Sequence, residues 1–222
     1  MSIAPPLRAG QPRESVLLEG IRWSTYEKLL SELGEHSHLR LTYDQGRLHI
    51  MSPLPIHERL AQLLGQFVRI LAAHARLPYI CLGTVTMRRK DVKRGLEPDN
   101  CFYLANAQAI LGKRELDFRV DPPPDLAIEV DITHKSLDRM GIYAALKVPE
   151  IWRCEEDALR CYHRNKTGRY EEKPTSLAFP WLRVADLEQF LTNIFAEMEG
   201  DTTGRFQDWL RTHRNKRKPG KR

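Results

Sequence analysis

One stretch of this 222-residue chain, Pro124-Asp125-Leu126-Ala127-Ile128-Glu129-Val130-Asp131-Ile132, constrains its fold more than any other. Leu126, Ile128, Val130 and Ile132 fall on one face, and Asp125, Ala127, Glu129 and Asp131 fall on the other. That alternation marks a strand whose apolar face packs on a core. Such a strand ordinarily offers Ser, Thr or Lys to water on its second face. Here the second face is acidic, so its carboxylates repel one another unless a cation or a basic residue sits among them. Upstream, Pro98-Asp99 opens a second apolar segment, so Asp99 and Glu129 can converge at one end of a sheet. Oxygen ligands from two strands suit a hard divalent cation such as Mg²⁺. Such an ion lowers the pKa of a bound water and stabilises charge on a phosphate oxygen. Taken singly, each acid has an ordinary alternative: Asp99 as a turn residue that starts a strand, Glu129 and Asp131 as a solvated strand face.

Around this strand the pattern shifts between helix and strand. Ser24-Thr25-Tyr26-Glu27 reads as a capping box that opens a short helix to about residue 33, closed by Gly34. Segments 39–43 and 47–51 flank Asp44-Gln45-Gly46, a hairpin signal. After the break at Ser52-Pro53-Leu54-Pro55, Leu60, Leu63, Leu64, Phe67, Val68 and Leu71 recur at helical spacing. They predict a core-facing helix over 57–76. Strand-like segments follow at 79–88 and 100–104, joined by a charged stretch, 89–96, expected to be an exposed turn. Beyond the acidic strand, Thr133 or Ser136 is expected to cap a helix reaching residue 146. Strands are expected at 150–154, 159–163 and 169–172, then helix over 184–211 with an interruption at 200–204. The order predicts a mixed sheet flanked by helices, an α/β or α+β fold. Residues 1–14 read as a loose lead-in, 15–198 as the folded domain, 199–210 as a helical extension and 211–222 as a disordered basic tail.

The net charge of +6 is concentrated in that tail, where 211–222 carry seven Lys or Arg and no acid. The remainder holds 28 basic and 29 acidic residues, so the body is close to neutral and does not by itself mark a nucleic-acid binder. The tail fits a solubilising terminus or a non-specific contact with a phosphate backbone. No apolar run approaches the roughly eighteen residues that span a bilayer, and 1–12 lack the apolar core of a signal peptide. No membrane association is expected. The cysteines (Cys81, Cys101, Cys154, Cys161) form no C-x-x-C and lie in strand-like segments. They read as small buried hydrophobes of a reducing cytoplasm, and no His/Cys spacing supports a zinc site.

The acids and their surroundings carry a family resemblance. Glu97-Pro98-Asp99 with the stretch 124–131 resembles the Uma-type restriction endonuclease family of the PD-(D/E)XK nuclease superfamily. Tyr43-Asp44-Gln45-Gly46-Arg47-Leu48-His49-Ile50-Met51-Ser52-Pro53 is similar to that family's N-terminal hairpin. Ser136-Leu137-Asp138-Arg139, Ile142-Tyr143-Ala144 and Val148-Pro149-Glu150-Ile151-Trp152-Arg153 resemble its helix-to-strand segment. The resemblance covers roughly residues 17–190. It implies a restriction-endonuclease-like core and a Mg²⁺-dependent DNA endonuclease, with Mn²⁺ as a substitute ion, that hydrolyses phosphodiester bonds through metal-activated water. Asp99 then matches the first acid and Glu129 the second, and Val130 offers its carbonyl to the metal. Asp131 departs from the pattern, standing where a lysine is usual. In the superfamily that role can pass to the following helix, which points to Arg139, with Lys135 as a second candidate. Arg139 can stabilise charge but is a poor proton acceptor, and a salt bridge to Asp131 or Asp138 is its ordinary alternative.

Glu58 resembles an extra helical acid of such nucleases, although an acid at a helix start has its own dipole rationale. His57 reads as a general base or as a capping or core histidine. Tyr143 and Trp152 read as core. The missing lysine and the neutral body also fit a catalytically silent nuclease-fold protein that binds nucleic acid or a partner protein. Cutting both strands of a duplex would need two sites, which a homodimer would supply.

Overall fold

The computed structural model describes residues 15–34, 38–131, 137–155, 158–192 and 194–214. Strand β1 (Ser15–Leu18), helix α1 (Trp23–Leu33), β2 (Arg40–Asp44) and β3 (Arg47–Met51) come first. Helix α2 (Pro55–Ala75) leads to β4 (Ile80–Cys81), β5 (Met87–Arg89), β6 (Arg94–Leu96), β7 (Asn100–Tyr103), the short α3 (Ala107–Ile110) and β8 (Leu126–Val130). Helix α4 (Arg139–Leu146) precedes β9 (Glu150–Glu155), β10 (Ala158–Arg164) and β11 (Tyr170–Lys173). A 3₁₀ segment, Val184–Phe190, and α5 (Glu199–Arg214) complete the order. The smaller sheet runs β1-β3-β2-β6-β5 and the larger β11-β10-β9-β8-β7-β4. The β8–β9 pair is parallel, and α4 supplies the crossover that a parallel pair needs. The result is a mixed α+β, restriction-endonuclease-like core of sheet flanked by helices, as the sequence predicts.

Strand β8 is covered on both sides. Leu126, Ile128 and Val130 pack with Leu60, Leu64, Phe67 and Leu71 of α2 in the main core. Helix α5 adds Phe206 and Leu210 to this core, and the Phe206 ring centroid lies 4.5 Å from that of Phe67. Ala127 and Ile151 face the other way, against Ile142, Tyr143 and Leu146 of α4 and Met87 and Leu96 of the smaller sheet. The alternative of a solvated strand face at Glu129 does not hold, because α4 and the smaller sheet roof that face. Asp125 serves a turn rather than that face. Its carboxylate accepts from the Leu104 and Asn106 amides at 2.7 and 2.9 Å and from Asn106 Nδ2 at 2.7 Å.

Several boundaries also differ from expectation, each for a packing reason. The expected strand 79–88 is divided: Ile80–Cys81 pairs with β7, whereas Met87–Arg89 pairs with β6 in the other sheet. The expected exposed turn over 89–96 contains β6, whose Leu96 is fully buried. Helix α1 begins two residues early at Trp23, with no side-chain cap. The Trp23 ring sits edge-on to Tyr26 and Tyr43, so aromatic packing fixes this start in place of a capping box. Asp138 caps α4 by accepting from the Gly141 amide at 3.1 Å, while Thr133 and Ser136 lie outside the described residues. Gly200 and Gly204 lie inside α5, and the interruption among the described residues falls at 191–192 and 194–198. Burial of Phe206 and Leu210 offsets the glycines' poor helix propensity. Helix α5 thus contributes to the core and runs four residues into the expected tail. Residues 1–14 and 215–222 lie outside the description. The hairpin is as expected: Gln45 and Gly46 both take positive φ, 47° and 103°, the signature of a type I′ turn.

One close approach sets the height of α2 over the strand that follows Asp99. A Cβ at Gly65 would come within 2.4 Å of Asn100 Nδ2. Asn100 is fixed in turn, its side-chain oxygen accepting from the Cys101 amide at 3.0 Å and from Cys81 Sγ at 3.2 Å. Helix propensity alone would favour alanine at position 65 by about 1 kcal/mol. Overpacking typically costs about 1–3 kcal/mol, so Gly65→Ala is expected to lower thermal stability, and less so in an Asn100→Ala background. A rise in melting temperature for the single variant would show that α2 has room to move away.

Candidate active site

The β7–β8 register pairs Asn100 with Ile128. Carried one residue further, it sets Asp99 opposite Glu129, where side chains share a face. Both acids line a cleft of about 150 Å³ at the C-terminal end of β8. The smaller sheet contributes Arg40, His49 and Met51 to its wall, the start of α2 contributes His57, and the start of α4 contributes Arg139. Val130, Asp131 and Arg153 complete the wall on the side of the larger sheet.

The centre of the cleft is a buried ion pair. Arg139 Nε donates to Glu129 Oε2 at 2.7 Å and Nη2 donates to Oε1 at 2.6 Å, a two-pronged contact. The same guanidinium donates to Thr42 Oγ1 at 2.6 Å and to the Glu97 carbonyl at 2.7 Å, so it bridges both sheets. The Tyr143 hydroxyl donates to Glu129 Oε1 as well. Tyr143 lies four residues after Arg139 on α4, and that spacing puts both side chains on one face of the helix.

Asp99 has a different environment. Its Oδ2 accepts from the Val130 amide at 2.7 Å. Burial, and then the neighbouring Glu129 charge, raise its carboxyl from 3.8 to about 7, against the opposing pull of Arg139 and that amide. Burial likewise raises Glu97, which accepts from Thr86 Oγ1 at 2.9 Å. Burial lowers His57, and burial followed by the Arg139 charge lowers His49, so both imidazoles are neutral at neutral pH. Arg153 Nη2 lies 2.6 Å from Asp131 Oδ2 and 3.0 Å from Glu155 Oε1.

Of the residues singled out in the sequence, Asp99, Glu129, Val130, Asp131 and Arg139 meet in this cleft. Arg139 pairs with Glu129 rather than with Asp131 or Asp138. Glu58 is turned to Arg40, 2.9 Å from its Nη2, and so acts on the cleft through that arginine. Lys135 lies outside the described residues. Tyr143, read as core, is both core and a donor to the site. Trp152 is core, with its indole N–H on Glu150. Thr42, Arg40 and Arg153 were missed. Thr42 gave one faint signal, a polar residue among the apolar positions of its strand. Arg153 reaches the cleft through its parallel register with Glu129, which no local pattern shows.

A two-faced sheet roofed by helices, with this acidic cleft at a strand end, is of the restriction-endonuclease-like class. Residues 23–197 match the Uma2 family, described as "Putative restriction endonuclease", and the chain belongs to that family. Among solved structures, a "putative nuclease belonging to DUF820" from Anabaena variabilis ATCC 29413 is similar at 14% identity and a TM-score of 0.48, over 77% of this chain and 98% of that one. No curated protein matches the chain. Among the described residues, no helix is long and apolar enough to cross a membrane.

The raised Asp99 carboxyl has a consequence for stability. Between pH 3.8 and about 7 the folded chain keeps a proton on Asp99 that the unfolded chain releases. Folding stability in metal-free buffer is therefore expected to fall as pH rises through this window and to level off above it. Calorimetric melting of Asp99→Asn should lack that part of the fall. Glu97 changes stability in the same direction in both proteins, so their difference isolates Asp99. Parallel curves for the two proteins would contradict the assignment.

Proposed function

We propose that the protein is a Mg²⁺-dependent endonuclease that hydrolyses phosphodiester bonds of DNA. The observation that carries the reading is the convergence of Asp99, Glu129 and Asp131 with Arg40, Arg139 and Arg153 in one cleft. The donor chemistry fits a hard dication. The acids offer oxygen ligands from two strands, and their mutual repulsion is offset by a guanidinium on Glu129 and, below about pH 7, by a proton on Asp99. A divalent ion can take over both offsets. Asp99 and Glu129 would hold it, with the Val130 carbonyl as a further oxygen donor. When bound, Mg²⁺ supplies an activated water and charge stabilisation on the phosphate.

The chain's own groups do the rest. The Val130 amide orients Asp99, and Tyr143 with Arg139 orients Glu129. Arg153 fixes Asp131 at the edge of the cleft. Arg40 and Arg139 provide positive charge for a phosphodiester that enters, and neutral His57 is able to accept a proton from water. Cutting both strands of a duplex requires two such clefts and hence two copies of the chain.

The two-pronged Arg139–Glu129 contact favours a second reading, a silent nuclease-fold protein that binds nucleic acid or a partner protein, because the arginine already neutralises the acid. Cleavage of supercoiled, linear and single-stranded DNA and of RNA, with Mg²⁺ or Mn²⁺, separates the two. The wild type is expected to cut DNA. Asp99→Asn and Glu129→Gln should each lower the rate by two or more orders of magnitude. The double variant should be little worse than either, since both acids serve one ion. Binding without cleavage by the wild type under every metal condition would favour the silent reading.

A further inference from the structure

Three metal-ligating side chains that the proposed reaction does not use meet on the opposite face of the larger sheet. The β9–β10 register pairs Glu150 with His163 and Trp152 with Cys161, so Glu150, Cys161 and His163 project to one side. One ligand atom from each lies within 4.8 Å of the other two. In the β8–β9 register Leu126 pairs with Glu150, whereas Glu129 pairs with Arg153. The cluster therefore lies on the α2 side of the sheet, some 10 Å along the strands from the level of Glu129. It is separate from the cleft.

Two features of this cluster lack a counterpart among the described residues. Glu150 is fully buried. It accepts from Trp152 Nε1 at 2.7 Å, the Ala178 amide at 3.0 Å and the Cys161 thiol at 3.3 Å. Among the described residues no Lys or Arg pairs with it. Neutral donors alone leave a buried carboxylate charge uncompensated. The second feature is His163 Nε2, which is buried without a hydrogen-bond partner among the described residues. Buried polar atoms in that condition are uncommon and call for an explanation. A cation answers both.

We propose that Glu150, Cys161 and His163 bind a divalent ion of the zinc type as a structural site distinct from the cleft. Borderline-soft Zn²⁺ accepts sulfur, nitrogen and oxygen donors together, whereas Mg²⁺ takes oxygen. The Cys161 thiol releases its proton to solvent as the metal–sulfur bond forms. Thiolate and carboxylate then balance the dication, and the imidazole stays neutral. The Thr175 carbonyl, 3.6 Å from Cys161 Sγ, or a water is available as a fourth donor. The ion would tie β9 and β10 to the segment that carries Thr175 and Ala178. The cluster leaves no metal-type cysteine and histidine spacing in the sequence, because its third ligand comes from a neighbouring strand and the other two are only two residues apart on β10.

The test uses the full chain stripped by a chelator, then titrated with Co²⁺ alone and with Zn²⁺ alone. One equivalent of Co²⁺ is expected to produce a thiolate-to-cobalt charge-transfer band that Zn²⁺ abolishes, and Zn²⁺ should raise the melting temperature. Cys161→Ser should remove the band, and His163→Gln should weaken Co²⁺ binding about tenfold or more. Asp99→Asn should leave the thiolate band, and the affinity read from that band, unchanged, which keeps this result independent of the nuclease reading. Should Cys161→Ser fail to fold, the partly exposed His163 still carries the test. No band in the wild type, a band that survives in Cys161→Ser, or unchanged affinity in His163→Gln would each overturn the proposal.

Discussion

Arg139 reaches from the first turn of α4 into the gap between the two sheets, and its guanidinium touches Glu129 of β8, Thr42 of β2 and the carbonyl of Glu97 before β7. The side chains of Glu129 and Arg139 are only 8% and 25% exposed, so water screens the pair weakly. Removing one partner of such a pair typically costs about 3–5 kcal/mol, because the other charge stays buried. The arginine therefore ties the smaller sheet to the larger one while holding the second acid of the cleft in place. Tyr143 adds a donor to the same carboxylate from the next turn of α4. Both side chains depend on α4 being docked between the sheets, which Ile142 and Leu146 secure through apolar packing.

The arrangement explains how one strand can serve both core and site. Leu126, Ile128 and Val130 supply apolar contact with α2, and this face needs no further compensation. The alternate face carries Glu129 into a region that α4 would otherwise make dry and apolar. A carboxylate there must be paired, protonated or metal-bound. Glu129 takes the first course through Arg139, and its neighbour Asp99, with a carboxyl raised to about 7, takes the second below that pH. Bound Mg²⁺ would move the pair to the third course, and the charge that Arg139 now spends on Glu129 would become available to a phosphate.

The sequence showed most of the fold where periodicity ran long. The apolar spacing of α2 and the alternation of β8 each fix an element and its buried face, and Asp44-Gln45-Gly46 fixes a turn. Short elements were less legible. Strand β6 has three residues, one of them glycine, and it is a strand because Leu96 finds the second core from across the chain. The candidate site divides in the same way. Asp99 and Glu129 stand out because acids are unusual beside apolar strands. Arg40 and Arg153 come from strands whose register is set by tertiary packing, so their arrival in the cleft is not written in any local spacing, and neither is the contact of Thr42 with Arg139. The partner of Arg139 was equally hidden: Asp131 and Asp138 are nearer in sequence, yet the helix start points the guanidinium to Glu129.

In the proposed function this acidic cleft, balanced by an arginine and by the protonation of Asp99 below about pH 7, is a divalent-metal site. Anomalous diffraction from crystals grown with Mn²⁺ tests it most directly, since it locates the ion without reference to activity. A manganese peak coordinated by Asp99 and Glu129, with Arg139 withdrawn from at least one Glu129 oxygen, is the expected result. Crystals saturated with Mn²⁺ that show no peak in the cleft, with Arg139 still seated on both oxygens of Glu129, would contradict it.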